Sequence, residues 1–192
     1  AIVARPDLQL ARRIDVARPA LACFGVLVLT ATVVSPLFGA DWPAWRFDAR
    51  RGNASPEVLA ETLELAWTRT LAPPAVTWPD QEKLAFHRVL EPIVVGHSLI
   101  VVSSRTDAVT AYDTRTGERQ WAFRADGPIH FAPAAADGRL YVASDDGYLY
   151  CVDATNGELL WRFRGGPADR RVLGNDRLVS TWPARGAPVV AD

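Results

Sequence analysis

Apolar and polar residues alternate in short runs through the second half of the chain. LYVAS (140–144) and YLYCV (148–152) have the period of two expected of half-buried strands. Asp146-Gly147 between them signals a tight hairpin, because glycine accepts a positive φ without a steric penalty. Asp137-Gly138 marks the turn before, and DATNG (153–157) a third turn, after which ELLWRF reads as a closing strand. The pattern predicts four short antiparallel strands with no room for a helix of ordinary length. Ser55-Pro56-Glu57 is the one place where a single helical turn is expected.

The same pattern occurs twice. Glu91–Phe123 and Ala132–Phe163 align so that Pro92 matches Pro133, Leu99 matches Leu140, Val101 matches Val142 and Ser103 matches Ser144. Further on, Asp113 matches Asp153, Gly117 matches Gly157, Trp121 matches Trp161 and Phe123 matches Phe163. The offset falls by one residue midway, so the first copy carries one extra residue in its middle turn, SRTDA against DDG. Four-stranded units of about 40 residues are the blades of a β-propeller.

The motif Ala111-Tyr-Asp113-Thr-Arg-Thr116-Gly117-Glu-Arg-Gln-Trp121 recurs as Cys151-Val-Asp153-Ala-Thr-Asn156-Gly157-Glu-Leu-Leu-Trp161. It resembles the tryptophan-docking motif of the pyrroloquinoline-quinone (PQQ) repeat family, which includes quinoprotein dehydrogenases and the outer-membrane assembly scaffold BamB. The resemblance covers about residues 41–192. It implies an all-β fold, a partial β-propeller of about two full four-stranded blades plus flanking strands. The physics of the motif is structural. The aspartates accept hydrogen bonds from turn amides, the glycines take the left-handed turn position, and the indoles fill space between adjacent sheets. Trp67 in LELAWTRTL reads as the tryptophan of an earlier closing strand, and GAPVVAD (186–192) as the opening of a further blade. On this count the expectation is the N-terminal part of a propeller, with the remaining blades in a C-terminal portion. The segment Asp41–Glu57 resembles the N-terminal lead-in of such proteins.

Residues 1–40 differ from the rest. Arg12, Arg13 and Arg18 precede an uncharged run from Ala20 to Val34, which is short for a bilayer span of about 20 residues. With small residues at Gly39-Ala40, the expectation is a signal peptide or signal anchor, and an exported, periplasmic or extracellular location. The absence of Met fits a processed or partial chain. Cleavage would remove Cys23 and leave Cys151 alone, so no disulfide framework is expected. A net charge of -1 gives no general attraction to nucleic acid. Membrane contact is expected only through an uncleaved leader.

No phosphate-cradling, zinc-protease or nucleophile-elbow motif is present in the 192 residues. His97 reads as solvated, His130 as strand packing or surface, and His87 as the histidine least easily assigned to structure. Asp145-Asp146 reads as a turn and not a calcium site, Cys151 as a small core residue, and Arg162 and Arg164 as a solvated face. Quinoprotein dehydrogenases hold PQQ with an aromatic floor, calcium, an acidic base and, in many members, adjacent cysteines. None of these maps onto this sequence, so no catalytic, metal or cofactor residue is assigned, and PQQ is expected only if the chain is part of such an enzyme.

Two connections between blades are long: Ala72–Leu90 and Gly165–Arg185. Long loops are commonly functional, and successive blade-to-blade connections emerge on one face of a propeller. The candidate binding face therefore comprises Trp78, His87, Arg170, Arg171, Trp182 and Arg185, with a protein or small polar ligand as partner. The functional expectation is a non-enzymatic binding platform or scaffold. The alternatives are the N-terminal part of a quinoprotein oxidoreductase and a sensor domain of a larger protein.

Overall fold

The computed structural model describes residues 40–75, 91–174 and 176–191. Among them are ten strands and no helix. β1 (Ile93–Val95), β2 (Ser98–Ser103), β3 (Ala108–Asp113) and β4 (Arg119–Arg124) form one antiparallel sheet in chain order. β5 (Ala134–Ala136), β6 (Arg139–Ala143), β7 (Tyr148–Asp153) and β8 (Leu159–Arg164) form a second in the same way. The repeat extends to its irregularities, since the register shifts between Ala111 and Tyr112 in the first sheet and between Cys151 and Val152 in the second. Two consecutive four-stranded meanders that do not close into a ring are a partial β-propeller.

The apolar half of each alternation is buried. Ile100, Val102 and Val109 of the first sheet, and Leu140, Val142 and Val152 of the second, belong to one continuous core. Cys151 is fully buried in β7, and burial pushes its thiol pKa up. Asp113 Oδ1 accepts hydrogen bonds from the amides of Arg115 (2.8 Å) and Thr116 (2.9 Å). Asp153 Oδ1 accepts from the Thr155 hydroxyl and from the amides of Thr155 and Asn156. Both carboxyls are held below the ordinary range, Asp113 chiefly by the Arg115 amide and Asp153 chiefly by the Thr155 hydroxyl.

The indole of one unit meets the glycine of the next. Trp67 covers Gly117 and donates through Nε1 to Thr114 O at 2.8 Å. Trp121, 8% exposed, covers Gly157 in the same way. Trp161 has no following unit among the described residues and is 43% exposed.

Three local expectations are corrected. Ser55–Glu57 makes no helical turn; the Ser55 hydroxyl instead accepts from the Glu57 amide. Residues 63–71 and 186–191 are not in strands, because a strand needs a neighbour's ladder and neither segment has one among the described residues. The long connection after β8 is not a plain loop: β9 (Arg171–Gly174) and β10 (Arg177–Ser180) form an antiparallel hairpin.

Candidate functional site

In an antiparallel meander the β2–β3 and β6–β7 turns lie at the same end of the sheets as the links between sheets. That end carries the described part of both long connections. The amide of Ala75 donates to Ser104 Oγ in the β2–β3 turn, and Arg105 Nε in that turn donates to Pro73 O. From the other connection, Arg177 donates to Ser104 O at 3.0 Å and pairs with Asp107. Ala72–Ala75 and the β9–β10 hairpin therefore converge on one turn of the first sheet.

Three arginines fix the hairpin segment to three aspartates of the sheets. Arg177 reaches Asp107. Arg171 Nη2 lies 3.9 Å from Asp126 Oδ2, in the link between the sheets, where Arg162 also approaches. Arg185 forks onto Asp145, Nε to Oδ1 at 3.1 Å and Nη2 to Oδ2 at 2.9 Å. These pairs differ in weight. The Asp126 contacts are long and exposed, so they are worth little, whereas the Asp145 carboxylate is almost fully buried. Burial alone would push the Asp145 pKa up; hydrogen bonds from His130 and Arg185 outweigh it and hold the carboxyl below the usual range. At Asp107 burial prevails over Arg177, and the pKa is raised.

Backbone bonds reinforce the clasp. The Ser180 amide donates to Asp145 O (2.7 Å) and the Ala184 amide to Ser144 O (3.1 Å). Asp146, buried beneath, accepts from the amides of Asp126 and Tyr148 and from the Tyr150 hydroxyl. Burial and that carboxylate push the Tyr150 pKa well above its ordinary value.

Held this way, the hairpin turns apolar side chains outward. Leu173 and Leu178 are cross-strand partners, 75% and 59% exposed. Val172, on the other face of the hairpin, and Trp182, after it, are exposed as well.

Of the residues singled out from sequence, Arg171, Trp182 and Arg185 lie on this clasped segment, with Arg171 and Arg185 engaged in ion pairs and not held out as open donors. Arg170 is exposed, and its carbonyl accepts from the Thr181 amide. Trp78, His87 and the leader up to Gly39 lie outside the described residues. Sequence reading missed Asp107, Asp126 and Asp145 as anchors, and Leu173 and Leu178 as an exposed pair. The signal for the hairpin was present: VLGNDRLV, two apolar pairs about Gly174-Asn175-Asp176, is hairpin chemistry.

The buried carboxylates are filled by protein donors, Asp145 by His130 and Arg185, Asp146 by two amides and a phenol. Among the described residues no group of three His, Cys, Asp or Glu is placed to hold a metal.

Comparison with known proteins places these features in context. The family described as outer membrane protein assembly factor BamB matches residues 44–182. Similar solved structures include BamB from Moraxella catarrhalis, 20% identical over 50% of this chain and 33% of that one, with a TM-score of 0.34. A quinohemoprotein alcohol dehydrogenase from Comamonas testosteroni is 25% identical over 67% of this chain and 20% of that one, with a TM-score of 0.47. A europium-containing methanol dehydrogenase is 23% identical over 54% and 19%, with a TM-score of 0.40. The chain thus spans a third or less of each of these proteins. No curated protein matches it in sequence.

Proposed function

The chain belongs to the BamB family of PQQ-like repeat proteins, and from that premise we propose that it is an exported, non-enzymatic platform that binds another protein through the face carrying the β9–β10 hairpin. The observation that carries this reading is an exposed apolar pair on a hairpin segment that is itself held in place. The hairpin segment is fastened to the sheets by Arg177 on Asp107 and by Arg185 on the buried Asp145, while Leu173 and Leu178 face solvent. Water disfavours such a pair, and an exposed apolar patch rimmed by polar residues marks an interaction site. Nothing in the motif residues calls for chemistry: the aspartates serve turns and the indoles cover glycines. The role by which the family is described, outer-membrane assembly, is consistent with a protein partner and with export.

The test is photo-crosslinking from position 182 in cells that export the full protein, with and without Leu173→Asp and Leu178→Asp. Exposed substitutions should leave stability within about 0.5 kcal/mol, and the discrete crosslinked species should disappear. An unchanged crosslink in the double variant would overturn the assignment.

A further inference from the structure

Residues 41–53 run past the first strands of both sheets, away from the hairpin. Trp42 bridges to Val94 of β1, Pro43 O accepts from the Ala135 amide of β5, and Arg51 reaches Ala187 O. Within this stretch Arg46, Phe47, Arg51 and Asn53 all have positive φ, at 59°, 82°, 57° and 55°. Four left-handed non-glycine residues in eight positions are costly, and such strain concentrates at functional sites.

The strained backbone builds the wall of a cavity. The Asn53 amide donates to Arg46 O at 2.9 Å, closing the loop on itself and bringing both residues to one opening. That cavity, a depression of about 340 Å³ wide open to solvent, is lined by Trp42, Trp45, Arg46, Asn53, Glu91 and Pro92. The Arg46 guanidinium lies 4.9 Å from the Trp45 ring centroid, and that of Arg51 4.5 Å from the same ring. Neither Arg46 nor Glu91 forms an ion pair with the other or with any described residue.

A cation and an anion that line one depression with two indoles, Arg46 on strained backbone and neither in an ion pair with a described residue, are complementary to a dipolar ligand. We infer that this cavity binds a free α-amino acid, its carboxylate on Arg46, its ammonium on Glu91 and its side chain against Trp42. The Asn53 side-chain carboxamide supplies a further donor or acceptor. A simple anion would be repelled by Glu91 and a simple cation by Arg46, so the pair selects for a ligand with both charges. The site is independent of the hairpin and of the partner proposed for it.

Calorimetric titration of the full protein with glycine and with L-phenylalanine tests this, using N-acetyl-L-phenylalanine and L-phenylalanine amide as ligands lacking one charge. At least one amino acid should bind saturably, with both half-ligands at least tenfold weaker. Arg46→Gln should remove the discrimination against the amide, and Glu91→Gln that against the N-acetyl compound, with melting curves unchanged. Both side chains reach solvent, and Arg46→Lys, which keeps the charge, checks that any loss is not a folding defect. No binding by either amino acid, half-ligands that bind equally well, or variants that leave the discrimination intact would overturn the inference.

Discussion

The indole of Trp121 lies directly over Gly157: a Cβ built on that glycine would stand 2.5 Å from Cε3 of the ring. Gly157 also has φ of +76°, so an L side chain is excluded twice, by the turn and by the ring. Gly138 has a similar φ of +71° with nothing within 4 Å of its Cβ position. The two sites separate conformational strain from the packing of one sheet on the next. Gly138→Ala should cost about 1–2 kcal/mol, and Gly157→Ala about 2–5 kcal/mol once overpacking is added. Denaturant melts of the two variants measure the difference; equal costs would mean that the ring moves aside freely.

Removing the indole should show the same contact from the other side. Trp121→Ala is expected to destabilise by about 3–5 kcal/mol, as for other buried large-to-small changes. Trp161→Ala, at the equivalent position but 43% exposed, should cost far less in this chain. The hydrogen bonding of the two covered indoles also differs. Trp67 Nε1 bonds Thr114 O, whereas Trp121 Nε1 is buried without a hydrogen-bond partner among the described residues. Trp67→Phe should therefore lose about 0.5–1.5 kcal/mol more hydrogen-bond energy than Trp121→Phe. Chemical melts on both variants decide it.

The strands, their order and the turn aspartates were legible in the sequence because each rests on neighbours a few residues away. Asp146-Gly147 marks its hairpin from two residues, and Asp153 finds its donors at Thr155 and Asn156. The clasp on the candidate face was not legible, because Asp145 meets Arg185 across 40 residues and Asp107 meets Arg177 across 70. No periodicity reports such pairs. The Asp145-Asp146 doublet looked like ordinary turn chemistry, and only burial reveals two carboxylates with separate sets of donors. Residues 63–71 failed as a strand for a related reason: the sequence shows the side-chain pattern, but the ladder has to come from elsewhere in space.

Acid should loosen the hairpin through Asp145. Its folded pKa is depressed, so the stability it contributes is present above its unfolded value of about 3.9 and is lost as pH falls through the folded pKa. Asp107, with a raised folded pKa, acts with the opposite sign and makes the net slope shallower. Hydrogen exchange at the Ser180 and Ala184 amides, which bond to Asp145 O and Ser144 O, reads the clasp directly. Below pH 4 these amides should lose protection before the β6–β7 core. Asp145→Asn should expose them already at pH 7 and flatten that dependence.

No saturable binding of PQQ is expected, with or without calcium. A planar polyanion with its metal needs free carboxylate oxygens, and those of Asp145 and Asp146 are occupied by internal donors. Absorbance titration of the folded chain is the measurement. Micromolar binding would show that the donors yield to the cofactor and would favour the quinoprotein alternative over the binding platform.

The outer strand of the second sheet should make this chain self-associate. Every residue of β8 is exposed, whereas Trp121 is buried in the equivalent β4. Trp161 and Phe163, 43% and 63% exposed, alternate on one face of a strand whose far edge has no partner among the described residues. An apolar face and an open backbone edge on one strand offer a second copy both pairing and burial. Sedimentation of the 192-residue chain should therefore show concentration-dependent oligomers. Phe163→Lys places a charge on that face, the device by which natural edge strands avoid pairing. It should shift the population toward monomer without lowering the melting temperature, because Phe163 gives up little buried area. If the variant associates as strongly as the parent, the contact lies elsewhere, and the exposed Leu173–Leu178 pair is the next surface to alter.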